Sequence, residues 1–75
     1  MNHRCLSLLR PGESSVVQGL LCKSSIRRRL QDLGLVEGTK VLCLQQSPLG
    51  DPTAFSVRGA VIALRSEDSS NILIQ

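Results

Sequence analysis

Apolar positions change their spacing along the chain, and each change marks an element. From about Ser15 to Cys22, Val16, Gln18 and Leu20 alternate with Val17, Gly19 and Leu21, which predicts a strand. Both sets are partly apolar, so alternation leaves open which one faces the core, and Gly19 suggests a bend or bulge. The spacing then lengthens. Ile26, Leu30 and Leu33 fall at i, i+4 and i+7, predicting a short helix over about residues 25–33 with these three on its packed face. Ser24 or Ser25 is placed to cap the first turn, and Gly34 to end the helix in the left-handed conformation, with Leu35 beyond it as a hydrophobic contact. A helix of about two turns is marginal alone in water, so its stability must come from packing against the flanking strands.

Period two returns after the helix. Val36 to Thr39 reads as a turn feeding a strand over Lys40 to Gln45. Two prolines and a glycine within Ser47-Pro48-Leu49-Gly50-Asp51-Pro52 forbid a ladder there and predict an exposed loop. Thr53, Phe55 and Val57 alternate with Ala54, Ser56 and Arg58 as a half-buried strand, and Gly59 separates it from Ala60 to Leu64. Ser66 to Ser70 suits a turn or one helical turn, and Asn71 to Gln75 a terminal strand. At the other end, Leu6, Leu8 and Leu9 precede the turn signal Arg10-Pro11-Gly12-Glu13, so a short N-terminal segment folds back before the first long strand.

Five or six short strands with one helix, in 75 residues, predict a mainly β fold, a small antiparallel barrel with the helix capping one end, as a single domain over residues 1–75. A chain of this size buries roughly 60% of its unfolded surface, enough for one small core. Phe55 is the only aromatic residue, so that core is expected to be Leu, Val, Ile and Ala. No apolar run is long enough to cross a bilayer and no signal-peptide pattern follows Arg4, so the chain reads as cytoplasmic.

Little catalytic chemistry is on offer. The lone His3 has no defensible nucleophile or carboxylate partner, and no phosphate-binding glycine loop is present, so no enzyme and no cofactor are expected. His3, Cys5, Cys22 and Cys43 are four soft ligands without a C-x-x-C pair; buried reduced thiols are the better reading, and no metal site is expected. The arginines say more. Arg27, Arg28 and Arg29 crowd the helix N-terminus and Asp32 lies near its C-terminus, the reverse of what the helix dipole favours. Either they form a solvated, partly self-paired face, or Arg28, directed away from the apolar side, and a neighbour meet an acidic group on a partner. The Pro48–Pro52 loop is the second candidate, presenting Leu49 and Asp51 on stiff backbone.

The segments Arg29-Leu30-x-x-Leu33-Gly34-Leu35-x-x-Gly38, Ser47-Pro48-Leu49-Gly50-Asp51-Pro52, Val57-Arg58-Gly59 and Ala63-Leu64-Arg65 together resemble the FeoA (ferrous iron transport protein A) family pattern. Leu6-x-x-Leu9-x-Pro11-Gly12-Glu13 fits it too. Glu67-Asp68-Ser69 stands where the family often has an acidic pair and alanine, and Ser15 where a glycine is common. The resemblance implies an SH3-like barrel. It also implies a cytoplasmic accessory protein of bacterial ferrous iron uptake, held near the inner membrane by a partner, FeoB, a permease with a cytosolic GTP-binding domain. Candidate partner-binding residues are then Arg27, Arg28, Arg29, Pro48, Leu49, Gly50, Asp51, Pro52 and Arg58, while Gly34, Gly38 and Gly59 serve backbone geometry. The competing reading is an SH3-like barrel that binds RNA, or another protein, with no link to iron. One aromatic residue and a net charge of +3 argue against nucleic acid.

Overall fold

A computed structural model describes residues 4–21 and 24–75. His3, Cys22 and the side chain of Ser24 lie outside the described residues, and with them two of the soft ligands and one candidate cap. The elements in chain order are β1 (Arg4–Cys5), a 3₁₀ turn (Leu6–Leu8), β2 (Ser14–Leu20), α1 (Ser24–Asp32), β3 (Lys40–Gln46), β4 (Thr53–Val57), β5 (Ala60–Leu64), α2 (Ser66–Ser69) and β6 (Ile72–Ile74). All strand pairs are antiparallel, in the order β1-β6-β2-β3-β4-β5.

One strand joins the two halves of this sheet. The first part of β2 pairs with β3 (Ser14↔Leu42 to Val16↔Lys40), and the second part with β6 (Val17↔Ile74 to Leu20↔Ile72). The change of partner coincides with a register shift between Val17 and Gly19, the bulge anticipated at Gly19. A second shift, between Cys43 and Gln45 in β3, was not anticipated, because Leu44 there carries no glycine or proline signal. Bulges bend a strand and raise its twist, which lets a short sheet coil around a small core. The N-terminal segment does fold back, and its strand partner is β6: Arg4 faces Ile74 and Cys5 faces Leu73.

The core comprises Leu6, Leu9, Val17, Leu30, Leu35, Val41, Cys43, Phe55, Val57, Leu64, Ile72 and Ile74. In β2 it is Val17 that is buried, which resolves the ambiguity of that strand. None of the three alanines joins the core, contrary to expectation: Ala54 is half-buried, and Ala60 and Ala63 are exposed. Ala54 and Ala63 face each other across β4 and β5 on the side opposite buried Phe55, and Ala60 adjoins the Arg58-Gly59 turn.

The helix stop is as read. Gly34 has φ +100°, the Leu35 N–H donates to the Leu30 carbonyl at 3.0 Å, and the Gly34 N–H donates to the Gln31 carbonyl at 2.9 Å. This pair of bonds is a Schellman termination, and its hydrophobic contact is Leu30 with Leu35, both fully buried. The rest of the predicted helix face is corrected. Ile26 and Leu33 are more than a third exposed, so only Leu30 of the i, i+4, i+7 stripe is driven fully into the core. Arg58 is also relocated: with Gly59 it forms the two-residue turn between β4 and β5, both at positive φ (52° and 82°), as in a type I′ hairpin, and it belongs to neither strand.

Candidate partner-binding face

The polar contacts of α2 organise the surface around it. Arg29 Nη2 donates to Asp68 Oδ2 at 3.1 Å, tying α1 to α2. On the other side the Ser66 N–H, one of the free donors of the α2 first turn, donates to Asp51 Oδ1 at 2.8 Å. The loop that carries Asp51 is itself internally bonded, with Ser47 Oγ donating to the Asp51 carbonyl at 2.7 Å and the Gly50 N–H to the Ser47 carbonyl at 2.8 Å. Two candidates for partner contact, Arg29 and Asp51, therefore hold an internal turn in place. Asp51 is half-buried, not projecting into solvent as its position between Gly50 and Pro52 suggested.

What the loop does present is Leu49, which is 93% exposed, flanked by exposed Pro48, Gly50 and Pro52. Arg58 stands away from it. The loop precedes β4 and Arg58 follows it, so the five residues of β4, about 17 Å of strand, separate them. Arg58 is near α1 instead: a Cβ placed on Gly34 would lie 3.4 Å from Arg58 Cδ and 3.4 Å from Val57 Cγ1. Its side chain also lines an open cleft of about 550 Å³ with Glu37, Lys40 and Ser56, beside Thr39, whose buried hydroxyl has no hydrogen-bond partner among the described residues.

The candidates thus fall into two groups. On α1, Arg27 and Arg28 are exposed and make no ion pair among the described residues; half-exposed Ile26 lies on the same helix, on the side away from Arg28, and half-exposed Leu33 follows its last residue, Asp32. Exposed arginines and partly exposed apolar residues on different sides of one short helix suit a partner that is acidic and apolar in turn and reaches round it. The Pro48–Pro52 loop forms a separate, smaller surface. Sequence reasoning missed the exposure of Ile26 and Leu33, because i, i+4, i+7 spacing marks any apolar stripe, whether or not the core covers all of it. Asp68 was also missed; its pairing with Arg29 spans 39 positions and leaves no local signal.

Cys43 is buried and Cys5 half-buried, and neither is in a disulfide. Burial, and secondarily the negative charge of Glu13, push the Cys43 thiol above its ordinary value of 9.0. Among the described residues no three His, Cys, Asp or Glu side chains converge as a metal site would require, and no helix is long and apolar enough to cross a membrane.

This architecture, a coiled six-stranded antiparallel sheet with a short helix between β2 and β3, defines the class as an SH3-like domain. The chain belongs to the FeoA family: the FeoA domain pattern matches residues 4–75, all but the first three. The solution structure of the FeoA protein from Chlorobium tepidum is 35% identical and superposes with a TM-score of 0.90, covering 96% of this chain and 69% of that one. The zinc-complexed FeoA of Stenotrophomonas maltophilia, described as a procaryotic SH3 domain protein, is 29% identical with a TM-score of 0.85, covering 96% of this chain and 89% of that one. The chain is also 29% identical over 70 residues to the Fe(2+) transport protein A/Fe(2+) transporter FeoB fusion protein of Porphyromonas gingivalis (strain ATCC BAA-308 / W83). That match takes in 93% of this chain but 8% of the fusion protein, so the chain corresponds to a small part of that relative.

Proposed function

We propose that this domain serves ferrous iron uptake without catalysis of its own, by binding a FeoB-type permease through the exposed face of α1. The observation that carries the reading is the fusion: in the P. gingivalis relative a segment like this chain is joined covalently to an Fe(2+) transporter. Fusion raises the effective concentration of one module for the other, an advantage only if the two engage. In separate chains the same encounter needs a surface that attracts and then packs. Arg27 and Arg28 supply the attraction, and Ile26 and Leu33 the apolar area that their exposure leaves uncovered. Iron in this reading is the permease's cargo and need not touch the domain.

The test is a titration of the cytosolic region of the FeoB from the same organism against this chain, wild type and Arg28→Glu. Binding that the reversal weakens, with the variant still folded, supports the proposal. Binding unchanged by the reversal moves the interface away from α1, and no binding in either case removes the permease as partner.

A further inference from the structure

Arg58 is an unexpected residue for the place it occupies. In a two-residue turn with both positions at positive φ, asparagine, aspartate or glycine is favoured first, yet here an arginine holds φ 52°. A long side chain gains nothing from that backbone, and residues kept in such conformations collect where a side chain has to be aimed. The stem of Arg58 is also held in place. It lies over Gly34, where a Cβ would come within 3.4 Å of its Cδ and 3.9 Å of its Cγ. The side chain that Gly34 lacks is thus the room in which the arginine lies.

The cleft of about 550 Å³ that Arg58 lines has three charged side chains in its wall, Glu37, Lys40 and Arg58 itself. Lys40 begins β3, and extending the Val41↔Val57 register by one step sets it opposite Arg58. Like charges so placed repel each other. Glu37 forms an ion pair with neither, and no other acid pairs with them among the described residues. Ser56, two residues before Arg58 and opposite Leu42, adds a half-buried hydroxyl, and Leu42 a half-buried apolar surface. Thr39 also borders the cleft, but one position before Lys40 its side chain alternates to the core side, where its hydroxyl is buried.

Charge and shape select the ligand. Two cations against one carboxylate leave the cleft with one positive charge in excess, which a singly charged anion balances and a doubly charged one overshoots. A carboxylate also offers two coplanar oxygens to the arginine fork and keeps lone pairs for an ammonium and a hydroxyl. Leu42 beside them suits the methylenes of a side chain that carries the carboxylate. The opening is wider than a lone carboxylate needs, and a small free acid would gain too little there to offset its lost freedom. We propose that the cleft between β3 and the β4–β5 turn receives one glutamate side chain of a partner protein, its carboxylate held by Arg58, Lys40 and Ser56. This stands whether or not the partner is a FeoB-type permease.

The probe is an acetylated, amidated peptide of alanines with one central glutamate, titrated against the chain while its backbone amide resonances are followed; the control peptide has glutamine at the centre. The glutamate peptide should shift Lys40, Ser56 and Arg58 saturably and bind about tenfold more tightly than the control. Arg58→Asn puts a residue that the turn favours in place of the ligand, so it should keep the fold and lose the preference for glutamate. Should it fail to fold, Lys40→Gln, at an exposed strand position, answers the same question by weakening that preference. Glu37→Gln raises the excess charge to two, so it should tighten the glutamate peptide and, by a larger factor, inorganic phosphate. Equal binding of the two peptides to wild type, shifts confined to other amides, or a preference that survives in folded Arg58→Asn and Lys40→Gln would overturn the proposal. Acetate binding as tightly as the glutamate peptide would overturn it in favour of a small free carboxylate.

Discussion

Gly34 shows how one residue's conformation can carry a helix end and a packing contact together. At φ +100° a side chain is strained wherever it points, and here a Cβ would also press on Val57 and Arg58 at 3.4 Å, so the γ-methyls of valine would have to displace them. Gly34→Val should therefore lower stability by about 2 kcal/mol or more, whereas Arg28→Ala, at an exposed position, should stay within about 0.5 kcal/mol. Thermal melts of the two variants check this, and equal melting temperatures would mean that the helix does not end at Gly34. Cys43 makes a pH prediction. Its thiol is raised in the folded state, so below about 9.0 both states hold the proton and stability does not depend on it. Above that value the unfolded chain ionises first, and stability falls as pH rises toward the folded value. Denaturation at about pH 8 and about pH 10 should show a larger loss for wild type than for Cys43→Val. Gly34 was legible because its role is local, set by the residues just before it. Cys43 was legible as a buried thiol, but its second perturbing group, Glu13, comes close only because β2 and β3 pair.

At the scale of elements, the strands were readable wherever one face is buried and the other is not. β4 alternates without exception, Thr53, Phe55 and Val57 inward, and was placed correctly except at its end, where Arg58 belongs to the turn. α1 was readable in extent but not in what it packs against. Nine residues resting on the sheet through Leu30, with Leu35 beyond the stop, leave Ile26 and Leu33 uncovered, and spacing cannot tell a core stripe from a contact stripe. α2 was the least legible element. Four residues, Ser66 to Ser69, have little helix of their own to stabilise, so it depends on Asp51 from a loop and Arg29 from a helix. Asp51→Lys should thus act within the domain: hydrogen exchange at the Ser66 amide should quicken about tenfold or more, because a hydrogen bond to a carboxylate is worth about 1.5–3 kcal/mol. Arg29→Ala should do less, since an ion pair with its arginine 61% exposed contributes about 0.2–1 kcal/mol. Unchanged exchange in Asp51→Lys would show that α2 holds itself.

For the whole molecule, strand count, chain length and composition were enough to predict a small antiparallel barrel, while the order in which strands meet was not. That β1 joins β6, and that β2 divides its length between β3 and β6, follows from contacts across almost the full chain. The same holds for the surface: Arg27, Arg28 and Arg29 are adjacent in sequence and all exposed, yet among the described residues only Arg29 has an ion-pair partner, because the fold brings Asp68 to it. The domain as a whole then offers a short helix with exposed arginines on its outer side and partly exposed apolar residues along its packed side, and the central claim is that the surface around this helix binds a FeoB-type permease. The most direct measurement is the affinity of the FeoB cytosolic region for wild type, Arg28→Glu and the double variant Ile26→Ser/Leu33→Ser at two salt concentrations, with circular dichroism confirming the fold of each. The account predicts that Arg28→Glu weakens binding at low salt and approaches wild type as screening shortens to about 10 Å at 0.1 M, whereas the double variant binds weakly at both. Folded variants that all bind like wild type at low salt would contradict it.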